Sequence, residues 1–438
     1  VAKTCATAVY ARQIIPSSKV EAQDARHGSQ DPPDRAVALM AGHRAMRRIY
    51  ALEDLEPAAR RHLPPPIFGY VSGAAETNAS LDDNRRAYSE ISFLPRVGID
   101  VSARSLATRL MGMQFDLPFG IAPMGVSALT AYRGDLVLAR AAGRARIPMI
   151  ISAASLIPME EIAAQNPDAW YQAYLPKQAN EIAALLTRVA ATGIETLVVT
   201  VDSAVVPSRE NNLRSGYRTP IKPNLSLLWQ GMTHPRWALG TFLRTYVQNG
   251  PPHFENATAT RGAPLLSRQA VRDFSGREFL DWSLLTEVRR LWKGRLVLKG
   301  ILHPDDVTRA VQLGAEGIIL SNHGGRQLDG AIAPLRVVSA AVERAKDMPV
   351  MLDGGILRGT DILKALALGA RFAFVGRPFN YAASIGGAHG VDHVIDLLRV
   401  QLRADLGMLG LTRLDQLNHS LIETGGFREV PPGPPGKT

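Results

Sequence analysis

The 438-residue chain contains a single cysteine, Cys5. One cysteine excludes an intrachain disulfide and any cysteine-built metal cluster, and it suits a reducing compartment. No metal site is expected. No apolar run approaches the ~20 residues that a membrane-spanning helix needs. No basic run is interleaved with aromatics and no nucleic-acid module is recognisable, so nucleic acid is not an expected partner. Residues 1–45 lack the apolar core of a secretory signal and carry Pro16, Pro32 and Pro33. Their composition predicts disorder, as does that of the Pro/Gly-rich tail over 426–438. Residues 46–425 are left for a folded domain.

Acidic residues are also missing from one long interval. Between Glu210 and Glu255 there is none, while Arg214, Arg218, Lys222, Arg236 and Arg244 all fall there. The whole chain carries a net charge of +10 from 50 basic and 40 acidic residues. That balance is compatible with an anionic partner such as a cofactor phosphate, acidic lipid or a carboxylate substrate. A basic surface from arginine-rich composition accounts for it equally well.

What is present is regular. Eight short apolar runs alternate with helix-like segments: FGIAPM (119–124), MIISAA (149–154), AWYQAY (169–174), TLVVTVD (196–202), RLVLKGI (295–301), GIILSNHG (317–324), PVMLDGG (349–355) and RFAFVGRP (371–378). Runs this short, separated by helices, read as parallel strands buried on both faces. The intervening segments place apolar residues at three- and four-residue spacing, and several end in glycine. Eight such units predict an α/β fold, a (β/α)8 TIM barrel. The excess length is a long insertion between strands 4 and 5, at about 203–294.

In such a barrel the active site stands at the carboxyl ends of the strands. Here the runs end in Pro123 and Met124, Ser152, Gln172 and Tyr174, Thr200 and Asp202, Lys299, Ser321 and His323, Asp353 with two glycines, and Gly376 with Arg377. For any one of these, a satisfied core group is the plainer reading. Together they point into one mouth and make a polar, ligand-holding site. The ends of strands 7 and 8 are the usual phosphate position of a barrel. Glycine lets backbone N–H groups approach phosphate, and Arg377 supplies a forked cation. Asp353 is wrong for phosphate but right for accepting from hydroxyls. Phosphate plus polyol suggests a nucleotide-like cofactor. Lys299 suits an electron-rich ring or a Schiff base.

The stretch SNHGGRQLDG (321–330) adds a titratable ring and a fixed cation. His323 can take a proton near neutral pH. Arg326 can hold a carboxylate through two parallel hydrogen bonds. A base, a carboxylate clamp and a phosphate-anchored cofactor suggest oxidation of a 2-hydroxy acid.

These residues resemble the FMN-dependent L-2-hydroxy-acid oxidases and dehydrogenases, a family that includes glycolate oxidase, flavocytochrome b2, L-lactate dehydrogenase and (S)-mandelate dehydrogenase. The resemblance runs from about Ile49 to Leu411 and includes YVSGAAE (70–76), YQAY (171–174), SREN (208–211), LVLKG (296–300), LDGG (352–355) and VGRP (375–378). It is greatest to the mandelate- and lactate-oxidising members. It implies FMN as cofactor and a small 2-hydroxy acid as substrate. It also implies a quinone or other electron acceptor, and a homo-oligomer, a tetramer in this family. His323 would be the base, with Asp202 orienting it. Arg326, Arg209 and Tyr70 would hold the substrate carboxylate, and Tyr174 would meet its hydroxyl. Lys299 would stabilise negative charge on the flavin. Ala122, Pro123, Met124, Ser152, Gln172, Thr200 and Ser321 would surround the ring. Asp353, Gly355, Gly376 and Arg377 would hold ribityl and phosphate.

The chain departs from the family pattern twice. Where the family has DGG-x-R-R-G, this chain reads DGGILRG, so Leu357 stands where an arginine would reach phosphate and Arg358 alone remains. Where the first strand ends in Pro-Thr, this chain has Pro123 and Met124, without the hydroxyl. Ala154 occupies the place of a tryptophan in glycolate oxidase, and with Gly125 it resembles the roomier mandelate-type pocket. The acid-free interval, with Trp229, Trp237, Phe242 and Tyr246, suits an anionic lipid surface. A cover over the chain's own site or a subunit contact would use the same residues. The expected location is cytoplasmic, with a peripheral position on the inner face of the cytoplasmic membrane as the alternative. Competing readings are an oxygen-using oxidase, a flavin-dependent isomerase without the arginine clamp, and a flavin-free peripheral membrane protein.

Overall fold

The computed structural model describes residues 46–217, 225–265, 267 and 276–425. The N-terminal extension, the tail after 425 and the cations Arg218 and Lys222 lie outside the described residues. All eight apolar runs form strands of one sheet: β1 Phe119–Ile121, β2 Ile150–Ser152, β3 Trp170–Ala173, β4 Thr196–Thr200, β5 Arg295–Ile301, β6 Gly317–Leu320, β7 Val350–Asp353 and β8 Phe372–Val375. Every neighbouring pair is parallel. The ring closes through a parallel bridge between Ile121 and Met149. The (β/α)8 barrel is therefore the observed fold.

The strands read as continuous apolar runs because both faces are covered. Inside the barrel lie Ile150, Trp170, Val198, Val297, Ile319, Met351, Phe372 and Phe374, all at most 1% exposed. Trp170 meets Phe374 edge-on at 5.4 Å. This plug makes the barrel a packed core rather than a pore. The side chains of the next layer up, toward the carboxyl ends, turn polar.

The outer helices follow the strands in order, among them Gly134–Ala145, Ala179–Ala191, Trp282–Leu291, Pro304–Leu313 and Gly359–Ala367. A leader precedes the barrel, with helices α1 Leu55–His62, α2 Pro65–Ser72 and α3 Ala79–Ser89. The leader crosses the carboxyl face of the barrel: Ala75 N–H donates to the Gly325 carbonyl, and Ser80 and Thr77 bond Asp329. In the insertion, short helical pieces run through Leu225–Thr233, Pro235–Trp237, Ala238–Leu243 and Arg244–Asn249.

Candidate active site

The turn after β6 is where the barrel departs most from regular geometry. His323, Gly324 and Gly325 all have positive φ, at 57°, 65° and 76°. Histidine rarely adopts this region, and such strain persists only where the surroundings over-determine it. Here the His323 N–H donates to the buried Ser321 Oγ at 3.0 Å. A Cβ at Gly325 would meet the Leu81 backbone nitrogen at 2.7 Å. The turn is thus pressed between its own strand and helix α3, and the His323 ring is directed into the mouth.

His323 Nδ1 lies 2.9 Å from Asp202 Oδ1, and Nε2 lies 3.3 Å from the Tyr174 hydroxyl. Burial alone would raise the Asp202 pKa, but His323 and Lys299 outweigh it, and the carboxyl sits below its ordinary range. An anionic Asp202 fixes the proton on Nδ1, which leaves the Nε2 lone pair facing the cavity. Burial pushes the Tyr174 phenol well up, so it stays a neutral donor.

Two arginines flank this pair. Arg326 Nη1 donates to the Tyr70 and Gly73 carbonyls at 2.7 Å, and its guanidinium lies 5.1 Å from the Tyr70 ring centre. Arg209 Nε donates to the Arg326 carbonyl at 3.2 Å, and Nη2 to Gln327 Oε1 at 2.6 Å. Burial, then the charge of Arg209, lower the Arg326 pKa to about 10. A carboxylate placed between two such cations would relieve both costs.

On the opposite wall Lys299 Nζ pairs with Asp353 Oδ2 and Ser321 Oγ, both at 2.9 Å. Ser152 Oγ donates to Gln172 Oε1 at 3.2 Å. Two buried atoms here have no partner: Gln172 Nε2, a donor, and Asp353 Oδ1, an acceptor. Buried polar groups are rarely left unpaired. One donor and one acceptor aimed at the same space fit a ligand that offers a ring acceptor and a hydroxyl, as a flavin with its ribityl chain does. Ala122, Pro123, Met124, Thr200, Gly355 and Gly376 border the same cavity.

The sequence-predicted residues therefore come together, with two of them set back. Asp202 and Ser321 stand behind His323 and Lys299 rather than on the cavity wall. Gln327 was given no role from sequence, although it lies within the SNHGGRQLD stretch. It bridges Arg209 to the Asp202 carbonyl, at 2.6 and 3.0 Å. Leu81 and Arg85 of α3 also reach the cavity without a sequence signal. Asn84 joins Asn322 in a reciprocal amide pair at 2.7 and 2.8 Å.

A family profile described as FMN-dependent dehydrogenase matches residues 59–424. The chain belongs to the FMN-dependent dehydrogenases. Its cofactor is FMN, and oxidation of 2-hydroxy acids is the oxidoreductase activity this membership supports. The chain is 34% identical over 388 residues to (S)-mandelate dehydrogenase of Pseudomonas putida, covering 88% of this chain and 97% of that relative. It is 37% identical over 383 residues to L-lactate dehydrogenase of Stenotrophomonas maltophilia strain R551-3, covering 85% and 98%. Among solved structures, monotopic membrane protein (S)-mandelate dehydrogenase superposes with a TM-score of 0.80 at 33% identity, over 86% of this chain and 100% of the other. Mandelate oxidase with benzoyl-formic acid superposes at 0.70 with 32% identity, over 86% and 99%.

Proposed function

We propose that this FMN-dependent dehydrogenase oxidises an aryl-bearing L-2-hydroxy acid to the 2-oxo acid and passes the electrons to a quinone or similar acceptor at an anionic membrane surface. The observation that carries the reaction is the His323–Asp202 pair set beside the Arg326–Arg209 pair over one cavity. FMN, when bound, supplies the two-electron acceptor. Arg326 and Arg209 clamp the substrate carboxylate, with Tyr70 beside them, and so fix the carbon that reacts. Tyr174 donates to the substrate oxygen. His323 takes the departing proton at Nε2, and Asp202 stabilises the imidazolium. Ser152, Gln172 and Thr200 would hold the flavin ring, Lys299 would stabilise the negative charge it gains, and Asp353, Gly355, Gly376 and Arg377 would hold the ribityl chain and phosphate.

Substrate size is argued from two missing side chains. A Cβ at Gly125 would stand 3.0 Å from the Ala154 Cβ and 3.4 Å from the Tyr70 hydroxyl. Gly125 and Ala154 thus pack closely beside the Tyr70 hydroxyl on the cavity wall, and neither projects a bulky side chain into the cavity, which suits a substrate ring. Mixing the yellow protein with mandelate, lactate and glycolate without oxygen tests the order. Mandelate should bleach it fastest, and faster bleaching by glycolate would defeat the aryl assignment.

The membrane reading rests on what the insertion shows to solvent. Trp229, Leu239 and Val247 are 63%, 63% and 73% exposed, and Met232, Leu243 and Tyr246 are exposed with them. Arg244 lies on the same helix as Tyr246 and Val247, and Arg236 on the short helix between those of Met232 and Leu239. Apolar side chains and cations without acids suit an anionic bilayer interface. Among the described residues no helix is long and apolar enough to cross a membrane. A homo-oligomer is supported by a second exposed apolar set, Leu94, Val97 and Met408, on segments that the Arg96 N–H to Leu409 carbonyl bond brings together. Sedimentation in the absence of lipid tests it.

A further inference from the structure

Leu357 borders the cavity where the family resemblance puts a phosphate-binding arginine, and the adjacent arginine does not take that place. The Arg358 side chain leaves the cavity and pairs with Glu53 at 2.8 Å, half exposed. Its backbone N–H, like that of Leu357, is spent on Asp361 Oδ2 at 2.9 Å. Arg377 therefore needs a second cation from elsewhere if phosphate is to be held by two.

Helix α3 offers one. It lies directly on the turn after β7: a Cβ at Gly355 would stand 2.1 Å from the Asn84 carbonyl oxygen, and the Tyr88 hydroxyl donates to the Gly354 carbonyl at 3.1 Å. Arg85 is on that same helix and borders the cavity together with Gly355, Leu357, Gly376 and Arg377. Its present partner is Glu56, at 3.1 Å, with the two side chains 48% and 34% exposed. Such a half-exposed pair is worth little and is readily exchanged. Arg85 and Glu56 both lie within electrostatic reach of Arg377 and of Tyr381. The Tyr381 hydroxyl is buried and has no hydrogen-bond partner among the described residues. The corner thus gathers two guanidinium groups and an unanswered hydroxyl: Arg377 donates to the Val71, Gly73 and Gly324 carbonyls, Asp353 lies within its electrostatic reach, and Glu56 is the exchangeable counter-ion of Arg85.

We propose that Arg85, from the leader helix α3, is a phosphate-binding residue of the FMN site, exchanging Glu56 for the FMN phosphate and taking the part of the arginine that Leu357 replaces. The cofactor then ties the leader to the barrel, so FMN loading also locks α3 over the β7 turn.

The test compares FMN with riboflavin, which lacks the phosphate, by titrating apo-protein and following flavin fluorescence. Arg85→Gln should weaken FMN roughly 10- to 100-fold, the share of a hydrogen bond between charged groups, and leave riboflavin unchanged. Adding Leu357→Arg to that variant should restore FMN. Glu56→Gln, which frees Arg85 in an otherwise native chain, should tighten FMN and not riboflavin, and it serves if Arg85→Gln fails to fold. Unchanged FMN affinity in Arg85→Gln, or equal weakening of both flavins, overturns the proposal. Failure of the wild-type chain to bind either flavin would strike the flavin site itself, and the proposal with it.

Discussion

The mouth of the barrel and the insertion obey opposite rules. At the mouth, charged groups are hidden: Lys299 and Asp353 are 4% and 7% exposed and pair with each other. In the insertion, apolar groups are shown: Trp229, Leu239 and Val247 are mostly in solvent. Burying charge is costly unless it is paired, and exposing large apolar side chains wastes burial. Each cost marks a place where the fold gives up stability for an interaction with something else. On the proposed reading the mouth takes a charged small molecule and the insertion meets a membrane surface. The two regions touch at defined points. Tyr217, at the start of the insertion, packs its ring 4.7 Å from that of Tyr70, and Trp237 donates its Nε1–H to the Leu129 carbonyl at 2.8 Å.

If the regions are functionally separate, damage to one should leave the other intact. The largest effect belongs to the mouth. His323→Gln should keep the yellow colour and vesicle binding, yet lose roughly 10²- to 10⁴-fold in the rate of flavin reduction, the usual share of a general base. A near-wild-type rate in stopped-flow mixing would remove His323 from the chemistry.

The mirror experiment alters the outer surface of the insertion. Replacing Trp229, Leu239, Leu243 and Val247 together by serine removes four exposed apolar side chains, each worth on the order of 1 kcal/mol at an interface. Partitioning onto anionic vesicles should fall by about 100-fold or more, while flavin reduction by dissolved substrate stays unchanged. Trp237 is left alone because it is buried. Undiminished pelleting would mean that the membrane contact lies elsewhere. A loss of flavin reduction would make these helices a cover for the site.

A third change tests how finely the mouth selects. Ala154→Trp would project a bulky ring from this wall into the cavity, and a pocket mismatch of this kind costs roughly 1–3 kcal/mol. The kcat/KM for an aryl substrate should drop by about 10-fold or more, with a small aliphatic acid less affected. Equal losses for both would place the aryl group outside this part of the pocket.

How much of this was legible in the sequence depends on how far a residue's partners lie from it. The eight strands were plain because strands buried on both faces must be continuously apolar. The mouth was plain because its polar residues interrupt those runs at one end. Helix α3 was not: Asn84 meets Asn322, and Arg85 nears Arg377, across more than two hundred residues with no local pattern. Trp237 was grouped with Trp229 as an interfacial aromatic, yet one is buried and the other exposed, and composition does not say which way a side chain faces. Arg358 looked available for phosphate, but the leader places Glu53 beside it.

The last effect, on the hold of the insertion rather than on the chemistry, should appear where α1 meets the insertion. Burial first, then the charges of Arg236 and His234, lower the His62 pKa from 6.5 to about 4. His62 is therefore neutral in the native protein at pH 5, whereas the same side chain in an unfolded or detached segment is mostly protonated. A proton taken up only by the detached form favours detachment. The contact is at full strength above pH 6.5 and weakens as pH falls toward 4, by ~3 kcal/mol at most. Below pH 4 both forms are protonated and the loss levels off. Limited proteolysis within 225–250 should speed up between pH 6.5 and 4.5 in the wild-type protein, and His62→Gln should flatten that rise. Parallel pH profiles for the two proteins would show that His62 titrates without consequence, and that the insertion is held by Trp237 and its neighbours alone.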